Sequence, residues 1–419
     1  MRRLRPERRT RLDLIVSALI VVVLVVGAVA VWSVSPARHT TSEQADATPA
    51  AVEPAAAVPA SFTPRWHAAS GATTVPAVAA STIITADGGT VTGRDPSTGG
   101  QLWTYSRDAP LCTAVAAWPD SLNEAIAVYR NSRGCSEVTA LDAATGGRKG
   151  ARTSDADDEV TVTAGSGYVL AQGSGRLETW GSNLVRGIEY GRVTAPVKPG
   201  VQPGRSDCHL YSAAIAGDRI AVIERCAGDT GYRLTVLGAV LDSDERVSQY
   251  GSSLITDRAT GAPPVVIGMS TSAIAVYDGG ANAAAPTPPS VRQFGSDGAQ
   301  TGSNTVNGLA SPPADSVALT SGGLVTYFTG TDTLVLDAGT MRPKYQVPAA
   351  LGPGEMMGDE LLLPGPSGIS VRNPATGEPV RTIPLTRHDY QGGVISLRVL
   401  GDKVIEQRGG IVEAFAPQS

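Results

Sequence analysis

The residues of this sequence with the clearest chemistry are four cysteines. Cys112 precedes one predicted strand and Cys135 follows the next, and Cys208 and Cys226 hold the same places further along the chain. The start of one strand and the end of the next lie side by side in an antiparallel hairpin, within reach of a disulfide. We therefore predict Cys112–Cys135 and Cys208–Cys226 bonds, with the two other pairings or free thiols as alternatives. The spacings contain no C-x-x-C, so they do not favour a four-cysteine metal site.

Side chains for catalysis or metal binding are otherwise sparse. The four histidines, His39, His67, His209 and His388, are isolated in the sequence and give no triad or zinc pattern. The acidic run at 155–159, DADDE, begins like a calcium loop but lacks the glycine at position six and the later glutamate. We expect a solvated loop there, with calcium binding as the alternative. The sequence predicts no catalytic residue, no resident metal and no enzyme.

One short turn recurs along the chain and must shape its architecture. It reads DPSTGGQLW at its first copy, with Asp or Asn followed three residues later by Thr and often by Gly. An Asp or Asn side chain accepts hydrogen bonds from nearby backbone N–H groups, and Gly tolerates positive φ, so these residues are predicted to be structural. The four copies contain Asp95, Thr98, Gly99; Asp142, Thr145, Gly146; Asp337, Thr340; and Asn373, Thr376, Gly377.

The spacing of these turns predicts a repeat of four strands. The steps are 47 residues from Asp95 to Asp142 and 36 from Asp337 to Asn373, with room for about four more steps between them. Short apolar runs alternate with turn residues, and 48 Gly and 29 Pro point to many turns. We predict an all-β propeller of eight four-stranded blades, with seven as the alternative, whose last blade is completed by a strand from around Pro64 to Ala69.

The first turn also carries a family resemblance. The D-x-x-T-G-x-x-x-W pattern from Asp95 to Trp103 resembles the tryptophan-docking repeat of the PQQ-type, or quinoprotein-like, β-propellers. The resemblance implies that the turn links the two outer strands of a blade and that the Trp packs between blades. In the later copies Gly150, Tyr345 and Arg381 stand at the position of the Trp.

The same resemblance implies a possible cofactor. A quinoprotein would hold PQQ and calcium in the central funnel, and Trp118 or Trp180 could then stack on the quinone. The chain lacks an adjacent Cys pair and a matching Glu/Asn/Asp ligand set, so both Trp are predicted to be packing residues. We expect no cofactor, with PQQ and calcium as the alternative.

A membrane segment precedes the repeats. Residues 1–13 contribute +4 to the formal net charge of −5, and residues 14–34, from Leu14 to Val34, contain no charge. This length spans a bilayer, and the Arg cluster predicts a cytoplasmic N-terminus with the rest outside. A cleaved signal peptide ending near Ala28-Val29-Ala30 is the alternative. The remainder of the chain is acidic and does not favour binding of nucleic acid, where phosphate contacts need clustered Lys and Arg.

The predicted domains are a basic tail at 1–13, a transmembrane signal-anchor at 14–34, an Ala/Pro/Thr-rich disordered tether at 35–61 and the propeller at 62–419. Two segments, 196–207 and 278–290, are exposed by composition and are predicted to be mobile connectors, with binding loops as the alternative. An anchor, a Pro/Ala tether and a degenerate propeller together resemble exported actinobacterial proteins, which implies the cytoplasmic membrane of a bacterium.

The predicted function is a non-enzymatic interaction or scaffold module that binds envelope or membrane proteins. Two alternatives stay open. The first is a PQQ- and calcium-dependent dehydrogenase, and the second is a sensor of a glycan or peptide ligand that signals through a partner transmembrane protein.

Overall fold

The computed structural model describes residues 10–193, 200–205 and 207–418. One α-helix, α1, runs from Arg11 to Val34, and a short 3₁₀ helix, Pro36–His39, follows it. The helix begins three residues before the predicted Leu14 because Thr10 and Asp13 form a capping box that satisfies the first backbone N–H groups. In the described chain it is the one helix long and apolar enough to cross a membrane, and its apolar window is fully exposed.

The rest of the chain forms eight sheets, one per blade, so the prediction of eight blades is confirmed. Two strands come from the segment before the first blade: β1 (Thr40–Glu43) and β2 (Phe62–Ala69). Blades 1 to 4 contain β3 (Ala77–Val78), β4 (Ile83–Asp87), β5 (Thr90–Arg94), β6 (Gln101–Arg107); β7 (Leu111–Ala117), β8 (Glu124–Asn131), β9 (Gly134–Asp142), β10 (Arg148–Thr153); β11 (Thr161–Ala164), β12 (Val169–Gln172), β13 (Arg176–Trp180), β14 (Arg186–Gly191); β15 (His209–Ala216), β16 (Arg219–Arg225), β17 (Arg233–Leu241) and β18 (Val247–Leu254).

Blades 5 to 8 contain β19 (Val265–Met269), β20 (Ala273–Asp278), β21 (Ser290–Gly295), β22 (Gln300–Thr305); β23 (Leu319–Ser321), β24 (Leu324–Phe328), β25 (Asp332–Asp337), β26 (Pro343–Pro348); β27 (Glu355–Met357), β28 (Glu360–Gly365), β29 (Gly368–Arg372), β30 (Pro379–Pro384); β31 (Ile395–Leu400), β32 (Lys403–Arg408) and β33 (Ile411–Pro417). Neighbouring strands within a blade are antiparallel throughout.

The ring closes as predicted, through a strand from the start of the propeller. β2 pairs with β33 as the outer strand of blade 8, with Phe62 opposite Pro417 and Ala69 opposite Ile411. The first strand of blade 1, β3, contacts the first strands of both blade 2 and blade 8. Blade 8 therefore joins the two ends of the propeller in one sheet and leaves no gap in the ring.

The blades define two faces of the molecule. We call the side with the turns between first and second strands, and between third and fourth strands, the turn face, because the Asp/Asn-x-x-Thr turns lie there. The other side, the connection face, carries the turns between second and third strands and the links from one blade to the next. Apolar side chains of adjacent blades pack between these faces, as Trp103 of blade 1 does against Ala125 and Ala127 of blade 2.

The segment predicted to be a disordered tether is bound to the propeller instead. β1 adds a fifth strand to blade 1 by pairing with β6, and residues 44–58, which we call the strap, cross the turn face. The Ala45 N–H donates to the Thr145 carbonyl at 3.0 Å, and the Val52 N–H donates to the Ala80 carbonyl at 2.8 Å. This corrects the predicted tether and its boundary at 62, because an extended chain of small residues can satisfy its backbone on exposed strand edges and turns.

The strap ends by covering the junction of blades 7 and 8. Val58 is buried with Phe62 and Met357, and the Val58 carbonyl accepts a hydrogen bond from Arg381 at 3.1 Å. Near Gly401 and Gly358 the strap lies so close that a side chain on either glycine would collide with it. The strap therefore links blades 1 and 2 to blades 7 and 8 across the point where the ring closes.

Candidate interaction surface

The four repeated turns have the hydrogen bonds that their sequences predict. Asp95 Oδ1 accepts from the backbone N–H of Thr98 at 2.8 Å and from its hydroxyl at 3.0 Å. Asp337 accepts the same pair from Thr340, each at 2.8 Å. Equivalent backbone bonds to the side chains of Asp142 and Asn373 complete the set. All four turns link the third and fourth strands of a blade, so their geometry is structural.

Each turn glycine receives an aromatic ring from the preceding blade. Trp103 packs on Gly146, where φ is +74° and a Cβ would lie 2.8 Å from the indole, and its N–H donates to the Ala143 carbonyl at 2.9 Å. Tyr345 of blade 6 covers Gly377 in the same way, with its hydroxyl donating to the Pro374 carbonyl at 2.9 Å. Glycine is required at these positions because any side chain would occupy the space of the ring.

A third aromatic contact of this kind closes the ring, and no motif in the sequence marks it. Trp66 on β2 covers Gly99, and its indole N–H donates to the Pro96 carbonyl at 3.1 Å. Because β2 precedes every repeat, no Asp-x-x-Thr-Gly turn stands before Trp66 to mark it. The contact could have been predicted only indirectly, because the segment with Trp66 was predicted to form the outer strand of the last blade.

The interface of blades 5 and 6 uses a different contact. Met341 replaces glycine in the third turn, has φ of +57° and is buried. Its sulfur lies 2.8 Å from where a Cβ on Gly268 would be. A flexible thioether on blade 6 therefore fills a gap on blade 5, which explains how this turn tolerates the loss of glycine.

Hydrogen bonding lowers the pKa of the turn carboxylates. For Asp337, the backbone N–H and the hydroxyl of Thr340 stabilise the charged form and hold the pKa below its usual value of 3.8. For Asp95, burial raises the pKa, but the hydrogen bonds from Thr98 and Ser97 outweigh it and the net direction is downward. These carboxylates are ionised acceptors at neutral pH and are poor candidates for proton transfer.

Both predicted disulfides are present. Cys112 bonds to Cys135 in blade 2, and Cys208 bonds to Cys226 in blade 4. Each bond lies at the connection-face end of its blade. Cys208 and Cys226 lie just before β15 and just after β16, as predicted. Cys112 lies within β7, and Cys135 is at the start of the third strand, β9, rather than after the second strand, which corrects its predicted place. Disulfides of this kind persist in oxidising compartments.

Ring closure brings together two histidines that are far apart in the sequence. His67 on β2 and His388, in the link to blade 8, stack with ring centroids 4.5 Å apart. His39 pairs with Asp108 at 2.9 Å, and His209 packs against Tyr211. Within the described residues, the one group of three potential metal ligands is Cys208, Glu224 and Cys226, and its two sulfurs are joined to each other.

The acidic run at 155–159 is part of an ion-pair network. Arg192 donates to Asp155 at 2.5 Å and to Asp157 at 2.7 Å. Asp157 also accepts from the backbone N–H groups of Gly175 and Arg176, at 2.6 and 2.9 Å. A calcium ion would have to displace Arg192. The run therefore has a structural role, and the partly buried Asp155 and Asp157 differ from the solvated loop that we predicted.

Buried charges in blades 4 and 8 are also paired. In blade 8, Arg387 binds Glu406 through two hydrogen bonds of 2.8 and 2.9 Å, and Arg408 bridges Glu406 and Glu413. In blade 4, Glu224 is fully buried and accepts from Tyr190 at 2.7 Å. Burial and the Glu224 charge raise the pKa of the Tyr190 hydroxyl. Satisfied networks of this type stabilise a defined packing rather than supply a free reactive group.

The two Trp considered for cofactor stacking lie in the same apolar cluster between blades 2 and 3. Trp118 and Trp180 are both buried, and the Trp180 indole donates to Glu178 at 2.8 Å. Both rings pack against apolar side chains of blades 2 and 3, as expected of packing residues.

The first of the two loops predicted to be exposed is exposed only in part. In 278–290, residues 284–288 are exposed, whereas Asp278 and Asn282 are buried, and the Asn282 side chain binds the backbone at Thr260, Gly261 and Ala262. One Asn therefore ties the start of this loop to the preceding link. Of 196–207, residues 196–199 and 206 lie outside the described residues. Residues 200–205 border an open cavity of about 410 Å³ beside β18.

Four of the eight exposed large apolar side chains in the described propeller lie on one sector of the turn face. They are Leu122 of blade 2, Val185 of blade 3 and Val240 and Leu241 of blade 4, with Val185 at 63 %. We call these four residues the apolar patch. The other four are Tyr250, Leu254, Leu309 and Val380, of which Val380 lies at the turn-face end of blade 7. The strap lies over blades 1, 7 and 8 and reaches blade 2 at Thr145, while the four patch residues remain exposed.

The turns that carry the patch are linked by packing between the blades. Leu122 follows Trp118, which packs in one cluster with Leu184, the neighbour of Val185. Blade 3 then meets blade 4 closely, because a Cβ on Gly187 would lie 2.3 Å from the Ala239 carbonyl, next to Val240.

Backbone strain supports a role for this sector. Trp118, Asn123, Leu184 and Glu245 have φ between 49° and 61° and lie in turns of blades 2 to 4 on the turn face. A left-handed conformation of a non-glycine residue costs about 1–3 kcal/mol and is retained where the surrounding structure holds it. Such residues concentrate at binding sites, so the strain is a second sign of function here.

Charges of both signs surround the apolar patch. The exposed acids in the adjoining turns are Asp120, Asp218, Asp242, Asp244 and Glu245, and the basic residues of these turns are Arg148, Lys149, Arg186, Arg219 and Arg246. Lys149 is paired with Asp142 at 3.1 Å, and Arg186 is paired with Glu189 at 2.9 Å. An apolar surface with a polar border favours a partner that has apolar side chains and a polar rim.

Comparison with known proteins supports the fold alone. No protein-family profile and no curated protein matches the chain. The computationally designed Ika8 protein is similar in structure, with a TM-score of 0.51 and 11 % identity over 87 % of this chain and 98 % of that one. PorZ, a surface component of the type-IX secretion system of Porphyromonas gingivalis, aligns with a TM-score of 0.44 and 11 % identity, over 82 % of this chain and 42 % of PorZ.

Proposed function

We propose that this chain is a membrane-anchored, extracytoplasmic β-propeller that binds a protein of the cell envelope without catalysing a reaction. The observation that carries the proposal is the apolar patch, an exposed apolar surface on turns with a strained backbone. The apolar helix supports the anchor, and the disulfides support an oxidising compartment. Membership of the PQQ-type propellers, the bacterial origin and a cytoplasmic N-terminus belong to the same proposal and rest on the sequence.

The proposed partner presents apolar side chains with a polar rim. Burial of exposed aliphatic side chains would supply most of the binding energy, at about 25 cal/mol per Å² of apolar surface removed from water. Asp242, Asp244 and Glu245, in the blade 4 turn, would favour basic groups on the part of the partner that meets this turn and would increase its rate of association at low salt.

In-cell photo-crosslinking tests the proposal directly. A photoreactive amino acid replaces Leu122, Val185 or Leu241 in the full-length protein, and the crosslinked products are identified by mass spectrometry. Leu254 and Leu309, which are exposed on the connection face, are the control positions. We expect one shared partner from the three patch positions and none from the controls. The same products from both faces would contradict the proposal.

Substitution separates binding from folding. Val185→Glu combined with Leu241→Glu places charges in the patch and should reduce partner capture at least tenfold. Both side chains are exposed, so the melting temperature should stay unchanged. Leu254→Glu is the matched control and should capture the partner as the wild type does.

The PQQ-dependent alternative has its own test. Purified protein is incubated with PQQ and calcium, and the reduction of a dye acceptor by alcohols or sugars is measured. We expect no dye reduction, and turnover dependent on PQQ would overturn the non-enzymatic proposal.

A further inference from the structure

The anchor and the propeller are joined by a very short connection. α1 ends at Val34 and β1 begins at Thr40, so five residues separate them. Four of these form the 3₁₀ helix Pro36–His39, which spans only about 8 Å at about 2 Å per residue. Even a fully extended connection of this length would reach at most about 18 Å. Blade 1 is therefore held close to the end of α1.

β1 determines which part of blade 1 meets that connection. Thr40 lies opposite Arg107, at the connection-face end of β6, and Glu43 lies opposite Thr104, further toward the turn face. His39 is fixed at the same corner, because its carbonyl accepts from the Asp108 N–H at 3.0 Å and its ring pairs with the Asp108 carboxylate at 2.9 Å. The chain thus arrives at the connection face and runs toward the turn face.

The strap removes the remaining length that could serve as a flexible tether. Its backbone is bound at Ala45, Val52 and Val58, over blades 2, 1 and 7. If residues 35–61 were free, they would behave as a coil with an end-to-end distance of about 29 Å and would impose no orientation. Bound as they are, only five residues lie between helix and sheet.

We propose that β1 orients the propeller on the membrane, with the connection-face corner of blade 1 next to the lipid headgroups and the turn face directed away. The apolar patch is then presented to a partner that lies above the propeller rather than beside the bilayer. This inference rests on the proposed function in one respect, namely that α1 remains in the membrane as an anchor.

Two serines of blade 2 provide a matched test. Ser132 lies in the turn between β8 and β9 on the connection face, and Ser121 lies in the turn between β7 and β8 on the turn face; both are exposed. The eight residues of β8 separate the two faces by about 26 Å. Ser132→Cys and Ser121→Cys are made in the full-length protein, spin-labelled and reconstituted into vesicles that contain nickel-chelating lipid headgroups.

We expect the nickel lipids to increase the relaxation rate of the label at 132 at least fivefold more than that of the label at 121. Equal rates, or a faster rate at 121, would overturn the orientation. Replacement of Thr40–Glu43 by four glycines should abolish the difference between the two positions. If the difference survives that replacement, β1 is not the element that orients the propeller.

The anchor is tested separately. The mass of the N-terminal peptide of the protein recovered from cell membranes shows whether residues 1–30 are retained. Loss of these residues would contradict the anchored form in the proposed function. It would leave the vesicle result valid for the full chain, so the two failures are distinguishable.

Discussion

At the scale of single residues, the propeller depends on contacts between a turn glycine and an aromatic ring. Gly99, Gly146 and Gly377 each have φ between 71° and 78° and each lies under a ring from the preceding blade. The left-handed backbone conformation and the contact with the ring each exclude a side chain, so glycine is required at these positions for two reasons.

Gly146→Ala is expected to destabilise the protein by about 2–4 kcal/mol, because the new methyl group is strained and meets the ring of Trp103. Gly147→Ala is the matched control, since its φ is ordinary and its nearest neighbour lies at 3.4 Å. Urea unfolding of both variants measures the difference. Equal stability of the two variants would show that the ring does not constrain the turn.

Acid is expected to weaken the Asp337 turn. Thr340 lowers the pKa of Asp337 in the folded state. The ionised side chain therefore stabilises the fold above the pKa of the unfolded state, and this stabilisation is lost as the pH falls through the pKa of the folded state. Asp337→Asn should have a lower free energy of unfolding than the wild type at pH 7, and this difference should disappear below about pH 4. The natural Asn373 turn lacks a titrating group, and Asn373→Asp is the reverse control. A difference that is constant from pH 7 to pH 3 would contradict this account.

Arg387→Ala is expected to cost about 3–5 kcal/mol, because it leaves the fully buried Glu406 without its main partner. Asp402→Ala removes the exposed partner of Lys403 and should cost less than about 1 kcal/mol. Thermal and urea unfolding of the two variants test the contrast. Similar stabilities would mean that Arg408 alone compensates the Glu406 charge.

At the scale of strands and loops, small additions determine how the blades are held. β1 caps the edge of blade 1, and the strap crosses four blades. Each disulfide joins the start of a first strand to the region of the turn between the second and third strands of the same blade. These elements lie outside the core, and they hold strand edges and strand ends that would otherwise be free to separate from the blades.

Removing the Cys112–Cys135 bond with two Ser substitutions is expected to cost about 2–4 kcal/mol, mainly by relaxing the unfolded chain. Removing Cys208–Cys226 should have a similar cost and should also release the segment at 200–205, which hydrogen exchange would detect. The control is the wild-type protein after mild reduction and alkylation. Four reactive thiols in the untreated denatured protein would show that the bonds do not form.

At the scale of the whole molecule, the ring is closed by residues from its two ends. β33 requires β2 as its outer neighbour, and the strap reinforces that closure from the turn face. Stability of the propeller should therefore depend on how much of the segment before Ser70 is present.

Three chains test this dependence: 40–419, 62–419 and 70–419. We expect the first to have the highest melting temperature. The second should be lower because it lacks β1 and the strap. The third should aggregate or unfold without cooperativity because blade 8 lacks a strand. Size-exclusion chromatography and calorimetry measure the outcome. Equal melting temperatures for the second and third chains would refute closure through β2.

The sequence by itself determined the features that depend on neighbours along the chain. Apolar alternation and the Asp/Asn-x-x-Thr turns predicted strands, hairpins and eight blades, and the positions of Cys112 and Cys135 predicted their bond. These features follow from local hydrogen bonding and from strand geometry, so a short window of residues contains the necessary information.

Only the tertiary structure decided the contacts between distant segments. The composition of 35–61 indicates disorder, yet the folded propeller presents the outer edge of β6 and the turn face of blades 1, 2, 7 and 8, which bind it. The apolar patch could likewise not be predicted from the sequence, because Leu122, Val185 and Leu241 are of the same residue types as the core. Exposure is a property of the assembled ring, and so is the orientation that β1 imposes on it.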